Sequence, residues 1–181
     1  MKYWSLLLIL GVTLASVPAL AAGNPPLSPE LQKLNISVGR WVFHGKALNA
    51  RTGKSSPFTW NEDCTWSPNQ LYLECTFSNN WAGKPIESLV VDTYNTEDHS
   101  YWHYEMYASG ERGDRPFVSR MEIQGNTWIE HGQEAVPSKK QRGERVVYKW
   151  ASPTEVSVAI QSSSDGVHWR TLDQGEGKKL P

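Results

Sequence analysis

The stretch Glu155-Val156-Ser157-Val158-Ala159-Ile160 reads polar and apolar in turn. A period of two residues predicts a β-strand with one buried face. Working outward from this stretch, we find about ten extended runs and no long segment with helical periodicity. The runs cover roughly residues 40–48, 57–66, 71–79, 86–94, 100–108, 116–124, 127–134, 143–151, 155–163 and 168–174.

Turn signals separate these runs, among them Thr52-Gly53, Gly125-Asn126 and Asp165-Gly166. Short connections between successive strands favour antiparallel neighbours, so the simplest topology is a meander. A meander of ten strands removes both of its edges by closing into a barrel. We therefore predict an all-β domain over residues 39–181, an antiparallel up-and-down β-barrel of about ten strands, with a β-sandwich as the alternative.

One short helix is expected before the first strand, in the segment 22–38. Ser28 suits the N-cap, Pro29 the first helical position and Glu30 the first turn. Leu31 and Leu34 supply an apolar stripe on this segment.

The first residues have the pattern of a secretory signal peptide. Lys2 gives a positive start, Leu6 to Leu14 form an apolar region, and Ala19-Leu20-Ala21 matches an A-x-A cleavage pattern. We expect residues 1–21 to be removed and the protein to be periplasmic or secreted. The stretch is too short and too interrupted to predict a membrane span.

Removing 21 of the 181 residues leaves 160, a normal size for one domain with a single core. Without Lys2, 17 basic and 19 acidic side chains remain. A near-neutral chain without a strongly basic face gives no reason to expect nucleic acid as a partner. We expect a monomer or a weak homo-oligomer.

Cys64 and Cys75 lie symmetrically about the sequence Ser67-Pro68-Asn69-Gln70-Leu71-Tyr72. Ser, Pro and Asn suit the first three positions of a type I turn. A hairpin centred between Asn69 and Gln70 would place the cysteines directly opposite each other, at a Cα separation that permits a disulfide. In an exported protein this bond is the prediction.

Residues 101–107 carry the densest group of candidate ligand contacts. A strand here places Tyr101, His103, Glu105 and Tyr107 on one face, and Trp102, Tyr104 and Met106 on the other. Because burying an unpaired glutamate is costly, we expect the apolar face to point into the barrel.

A ten-stranded barrel is wide enough to retain a cavity, and aromatic walls suit small-molecule pockets. The candidate ligand-binding wall is Trp60, Trp102, Tyr104, Met106, Trp128 and Trp150. The alternative polar wall is Tyr101, His103, Glu105, Tyr107 and His131. A further alternative is that the aromatic side chains fill the interior and leave no cavity.

An enzyme or metal site would use His103, Glu105 and His131, because two imidazoles and a carboxylate can hold a divalent metal. The H-x-E pattern has little specificity. The chain has no G-x-S-x-G motif and no nucleotide-binding glycine loop. We therefore expect no metal, no cofactor and no catalytic residue.

Three motifs carry a resemblance to a known fold family: Gly39-Arg40-Trp41 after the short helix, Val91-Asp92-Thr93-Tyr94, and the segment from Ser164 to Trp169. The first resembles the G-x-W opening of lipocalins and the wider calycin group. The others are similar to an uncharacterised family of secreted bacterial calycin-like proteins, and the similarity spans most of the mature chain.

The resemblance implies that Trp41, introduced by Gly39, plugs the closed end of the barrel, with Arg170 as its partner near the last strand. Some ten-stranded calycin barrels hold haem through one histidine near the last strands, and His168 is the positional candidate here. A place beside the Asp165-Gly166 turn favours a surface position for this histidine.

The sequence predicts an exported calycin-like barrel that binds a small hydrophobic or amphipathic molecule, and it leaves enzyme activity open. One alternative is an enzyme or a metal- or haem-binding protein that uses His103, Glu105 and His131 or His168. Another is an envelope module that binds other proteins through an exposed aromatic patch.

Overall fold

The computed structural model describes residues 26–48, 52–81, 84–108, 116–133 and 143–181. It contains a helix α1 (Pro29–Gln32), a 3-10 turn over Lys33–Ser37, and ten β-strands. The strands are β1 (Gly39–Leu48), β2 (Ser55–Trp66), β3 (Tyr72–Trp81), β4 (Lys84–Asn95), β5 (Ser100–Tyr107), β6 (Phe117–Gln124), β7 (Thr127–Gln133), β8 (Gly143–Ser152), β9 (Glu155–Ser163) and β10 (Arg170–Lys179).

The ten strands form a closed antiparallel barrel in which each strand pairs with its sequence neighbours and β1 pairs with β10. The predicted fold class and meander are confirmed. The last strand is longer than predicted, because it continues through Gly175 and Gly177 to Lys179. These glycines interrupt the apolar alternation, yet their backbone supplies the ladder to β1 that closes the barrel.

The first and last strands have glycines where aromatic rings lie flat against the barrel wall. A Cβ at Gly177 would overlap the ring of Phe43, and a Cβ at Gly45 would overlap the ring of Phe58. Phe43 and Phe58 both stack on Trp60, with ring centroids 4.7 and 4.9 Å apart. This side of the barrel is therefore filled by stacked rings.

The short helix expected before the first strand is present, and it packs against one end of the barrel. Ser28 Oγ accepts a hydrogen bond from the Leu31 N–H at 3.2 Å and caps the first turn. Leu34 is fully buried. The Tyr101 hydroxyl on β5 donates to the Glu30 carbonyl at 3.1 Å, which attaches the helix to the barrel wall.

The hairpin of β2 and β3 has the predicted register. Cys64 lies opposite Cys75 and forms a disulfide with it, at a Cα separation of 4.0 Å. The Gln70 N–H donates to the Ser67 carbonyl at 2.8 Å, which closes the predicted turn.

The proposed signal segment, residues 1–21, lies outside the described residues. Within the part of the chain that the structure describes, no helix has the length and apolar character needed to cross a membrane.

Candidate functional site

The polar face of β5 points into the barrel. Tyr101 and His103 are buried, and Glu105 and Tyr107 line the same interior cavity as His103. The sequence analysis expected the opposite face to be inside, so the predicted orientation of this strand was wrong. The reason is that partners on other strands satisfy the polar groups.

Trp102, Tyr104 and Met106 lie on the outer wall. Met106 is 42% exposed, and Leu89 opposite it on β4 is 40% exposed. The ring of Trp102 stacks with that of Tyr104. The Arg120 guanidinium lies over the Trp102 ring, 4.7 Å from its centroid. These three residues cannot contact a molecule held inside the barrel.

Four ionisable side chains from different strands meet in the interior. His103 Nδ1 lies 2.8 Å from Asp92 Oδ1 on β4 and 3.8 Å from Glu130 Oε1 on β7. Glu62 on β2 lines the same space and accepts a hydrogen bond from Trp60 Nε1 at 3.1 Å. We call Glu62, Asp92, His103 and Glu130 the inner cluster.

Burial and mutual charge shift the pKa values within the inner cluster. Burial raises the pKa of Glu62 to about 8, and the charges of Asp92 and Glu130 add to the rise. Burial also raises the pKa of Glu130 to about 7, although the charge of His103 opposes it. Burial lowers the pKa of His103, but the carboxylates of Glu130 and Asp92 outweigh it and raise the value to about 10.

The raised pKa favours the protonated form of His103. An imidazolium has no free lone pair, so it can neither accept a proton as a general base nor bind a metal without first losing its proton. A protonated His103 is therefore not suited to act as a general base or as a metal ligand. Among the described residues, no group of three or more His, Cys, Asp and Glu side chains is arranged to hold a metal ion.

His131 does not join this cluster. It faces away from the interior on β7, next to the inward Glu130, and its Nε2 lies 3.5 Å from Glu122 Oε1 on the outer wall. The expected grouping of His131 with His103 and Glu105 is therefore wrong, and Glu130 takes that position.

Glu105 has its own partners, one on each oxygen. The Ser88 hydroxyl donates to Oε1 at 2.7 Å, and the Tyr107 hydroxyl donates to Oε2 at 2.5 Å. Both donors are neutral, so they orient the carboxylate without cancelling its charge. These two hydrogen bonds reduce the free-energy cost of burying Glu105. That cost was the reason for predicting that the opposite face of β5 points inward.

A cavity of about 530 Å³ lies within the barrel beside these groups. Its apolar lining includes Trp60, Phe77, Ile86, Phe117, Val146 and Ile160. Its polar lining includes Glu62, Asn79, His103, Glu105, Tyr107 and Glu130. The volume falls in the range of small-molecule pockets, so the aromatic side chains do not fill the whole interior.

Trp60 is the only member of the predicted ligand wall that lines this large cavity. Trp128 and Trp150 are buried around a second cavity of about 50 Å³ at the helix end, with Trp41. Trp150 packs edge-on against Trp41, with centroids 5.3 Å apart. The predicted wall is thus divided between the large cavity, the helix end and the outer surface.

The helix end of the barrel is built around Trp41, which is 1% exposed. Its Nε1 donates to the Ser37 carbonyl at 2.8 Å. Gly39, two residues before it, has a φ of 111°, a conformation that favours glycine.

Arg170 is not the partner of Trp41. It begins β10 opposite Ser162, whereas Trp41 lies opposite Lys179 at the other end of that strand. Lys179 Nζ lies 5.1 Å from the centroid of the Trp41 ring. The cation that the resemblance assigned to Arg170 is therefore supplied by Lys179.

His168 is on the surface, as its place beside the turn predicts. Its side chain is 88% exposed, and its Nδ1 lies 2.6 Å from Asp165 Oδ2. This hydrogen bond lowers the pKa of Asp165. A haem inside the barrel is out of reach of this imidazole.

Sequence reasoning missed Glu62, Asp92 and Glu130. A signal for Glu62 was present, since it lies two residues from both Trp60 and Cys64 on one strand. A half-cystine is buried in most folds, so the face of the strand that carries Cys64 is expected to point inward. Glu62 lies on that same face. Glu130 has the same relation to Trp128, which is buried.

Comparison with known proteins shows likeness in structure without likeness in sequence. No family model and no curated protein matches this chain. The structure of Rv2717c from M. tuberculosis is similar, with a TM-score of 0.59 and 15% identity over 86% of this chain and 100% of that one.

A protein of unknown function from the DUF3598 family of Nostoc punctiforme is also similar. Its TM-score is 0.50 and its identity is 11%, over 88% of this chain and 53% of the other. At such low identities, both likenesses show a shared barrel fold and nothing finer.

Proposed function

We propose that this protein is an exported, calycin-like barrel that binds a small amphipathic molecule inside its lumen. The observation that carries the proposal is the cavity of about 530 Å³, which has an apolar and aromatic lining on some strands and oriented polar groups on others. Pockets for small molecules combine these two kinds of surface.

Export is supported by two independent features. The pattern Ala19-Leu20-Ala21 ends an apolar leader-like segment. The Cys64–Cys75 bond is of a kind that forms and persists mainly in oxidising compartments, which supports export. We expect the mature protein to begin at Ala22, which N-terminal sequencing of protein from the producing cell tests.

The calycin assignment is supported by the order of the elements. A short helix leads into Gly39 and the buried Trp41, and the ten-stranded barrel closes after them. The interior polarity narrows the predicted ligand from hydrophobic or amphipathic to amphipathic, because carboxylates and hydroxyls face the cavity together with rings.

A pair of adjacent substitutions tests binding in the lumen. Val146 on β8 lines the interior cavity, whereas Val147 lines the outer surface. We expect N-phenylnaphthylamine, a neutral dye that fluoresces in apolar surroundings, to bind the wild-type protein and Val147→Trp. Val146→Trp should weaken this binding at least about tenfold, because the indole fills the cavity. Equal binding by both variants, or no binding by the wild type, contradicts the proposal.

A further inference from the structure

The interior of the barrel has a large excess of acidic groups. Six carboxyl side chains line the two interior cavities, namely Glu62, Asp92, Glu105, Glu130, Glu144 and Asp173. His103 is the single basic side chain among the described residues that line them, and neither lysine nor arginine occurs there. The carboxyl groups that are ionised in such a lumen attract a cation.

His103 is already committed to the inner cluster. Its Nδ1 faces Asp92 at 2.8 Å and Glu130 at 3.8 Å, so these two carboxylates share its charge. Glu105 is two residues further along β5, where its two hydrogen-bond donors are the uncharged hydroxyls of Ser88 and Tyr107. Each carboxylate oxygen can accept a second hydrogen bond, so Glu105 keeps acceptor capacity toward the cavity.

Asn79 supplies an independent observation on the same cavity. Its Oδ1 is enclosed, and no donor among the described residues hydrogen-bonds to it. Asn79 lies on β3, with β4 between it and Glu105, so these two acceptors mark separate positions on the lining. An enclosed acceptor without a donor is costly, and a ligand N–H or O–H group reaches this oxygen only after the Asn79 side chain rotates toward the cavity.

The rest of the lining suits the body of such a ligand. The aromatic rings of Phe77 and Phe117 line the cavity. Such rings bind cations at their faces and also pack against apolar groups. Ile86, Val146 and Ile160 present only hydrocarbon. The cavity therefore combines an anionic position with a large apolar surface.

We propose, on the basis of the lumen-binding function above, that the ligand is a protonated amphipathic amine. Its ammonium group binds Glu105, and its apolar body packs against the aromatic and aliphatic lining. A primary amine fits better than a quaternary ammonium, because its N–H groups can donate the further hydrogen bonds that the Glu105 oxygens can accept.

Three probes with the same hydrocarbon tail and different head groups test this inference: octylamine, octanol and octanoate. Each competes with bound N-phenylnaphthylamine at pH 8, where octylamine is a cation and octanoate an anion. We expect octylamine to bind at least about tenfold more tightly than octanol, and octanoate to bind most weakly. Tighter binding of octanoate or of octanol overturns the proposal.

Glu105→Gln should weaken octylamine binding about tenfold and change octanol binding less than about twofold. Binding of octanol also shows that the variant is folded with its cavity intact. Glu122→Gln is the matched control, because it removes the same charge from the outer wall, where Glu122 is 56% exposed. Equal effects of the two substitutions on octylamine overturn the amine assignment while lumen binding stands. If the dye and all three probes fail to bind the wild type, lumen binding fails as well.

Discussion

His103 on β5 and Asp92 on β4 are direct cross-strand neighbours, and their Nδ1 and Oδ1 atoms lie 2.8 Å apart in the barrel interior. Both side chains are buried. Charges taken out of water are tolerated where they are paired and hydrogen-bonded, and here the β-ladder places the partners opposite each other. This pair anchors the inner cluster and fixes the inward face of β5.

Asp92→Asn should destabilise the protein by roughly 3 kcal/mol, because it leaves a buried imidazolium without its nearest counter-charge. The same substitution should lower the pKa of His103, since one of the two carboxylates that raise it is gone. Urea unfolding measures the first effect, and NMR titration of the imidazole measures the second. Asp63→Asn, at an exposed position on β2, is the control and should cost less than about 0.5 kcal/mol. A similar loss in both variants would falsify the role of the buried pair.

Stability should fall as the pH rises from about 5 to about 10. Glu62, Glu130 and His103 all have pKa values raised above those of the unfolded chain, to about 8, 7 and 10. The folded state therefore holds more protons than the unfolded state in this range. The groups that face them are Asp92 from β4, Glu105 from β5 and Tyr148 from β8, whose pKa burial also raises.

Glu62→Gln should flatten this decline between about pH 5 and 8, by up to about 1.4 kcal/mol per pH unit. The amide still accepts the hydrogen bond from Trp60 Nε1. Above pH 8 the variant should be more stable than the wild type. Melting temperatures at a series of pH values measure this, with Glu122→Gln as a surface control that should follow the wild-type curve. A variant curve parallel to that of the wild type would show that Glu62 is not protonated in the fold.

Removing the disulfide should lower the free energy of unfolding by about 3 kcal/mol in the chain-entropy model. The bond between Cys64 and Cys75 spans a sequence separation of 11 in one hairpin. Urea unfolding of the oxidised and fully reduced wild-type protein gives the difference without any substitution. If reduction, verified by mass, leaves the urea midpoint unchanged, the bond contributes nothing to stability.

The strands could be predicted because their signals are local. Alternation such as that of Glu155 to Ile160, and turns such as Ser67 to Gln70, depend on residues close together in the sequence. The register of the cysteine hairpin followed from the same local symmetry. Barrel closure was predicted from the number of strands, but the extension of the last strand through Gly175 and Gly177 was not, because those residues pair with a strand more than a hundred positions earlier.

The inward face of β5 could not be predicted, because both of its faces contain aromatic side chains. The cost of burying Glu105 decided the prediction, and that cost depends on its partners. Ser88 lies 17 residues away on a neighbouring strand, and Asp92, the partner of His103, lies 11 residues away. Without the register of β4 against β5, the sequence does not show that these polar groups are satisfied.

Lys179 rather than Arg170 should stabilise the helix end of the barrel. Lys179 Nζ lies 5.1 Å from the Trp41 ring centroid and donates to the Ile36 carbonyl at 3.3 Å. Lys179→Met keeps most of the apolar stem and removes the charge, so it should cost about 1 to 2 kcal/mol. Arg170→Met alters an exposed residue at the opposite end of β10 and should cost less than about 0.5 kcal/mol. Urea unfolding of the two variants compares them directly. A larger loss of unfolding free energy for Arg170→Met would make Arg170 the partner of Trp41. A larger loss for Lys179→Met would place the stabilising cation at the end of β10 that pairs with Trp41.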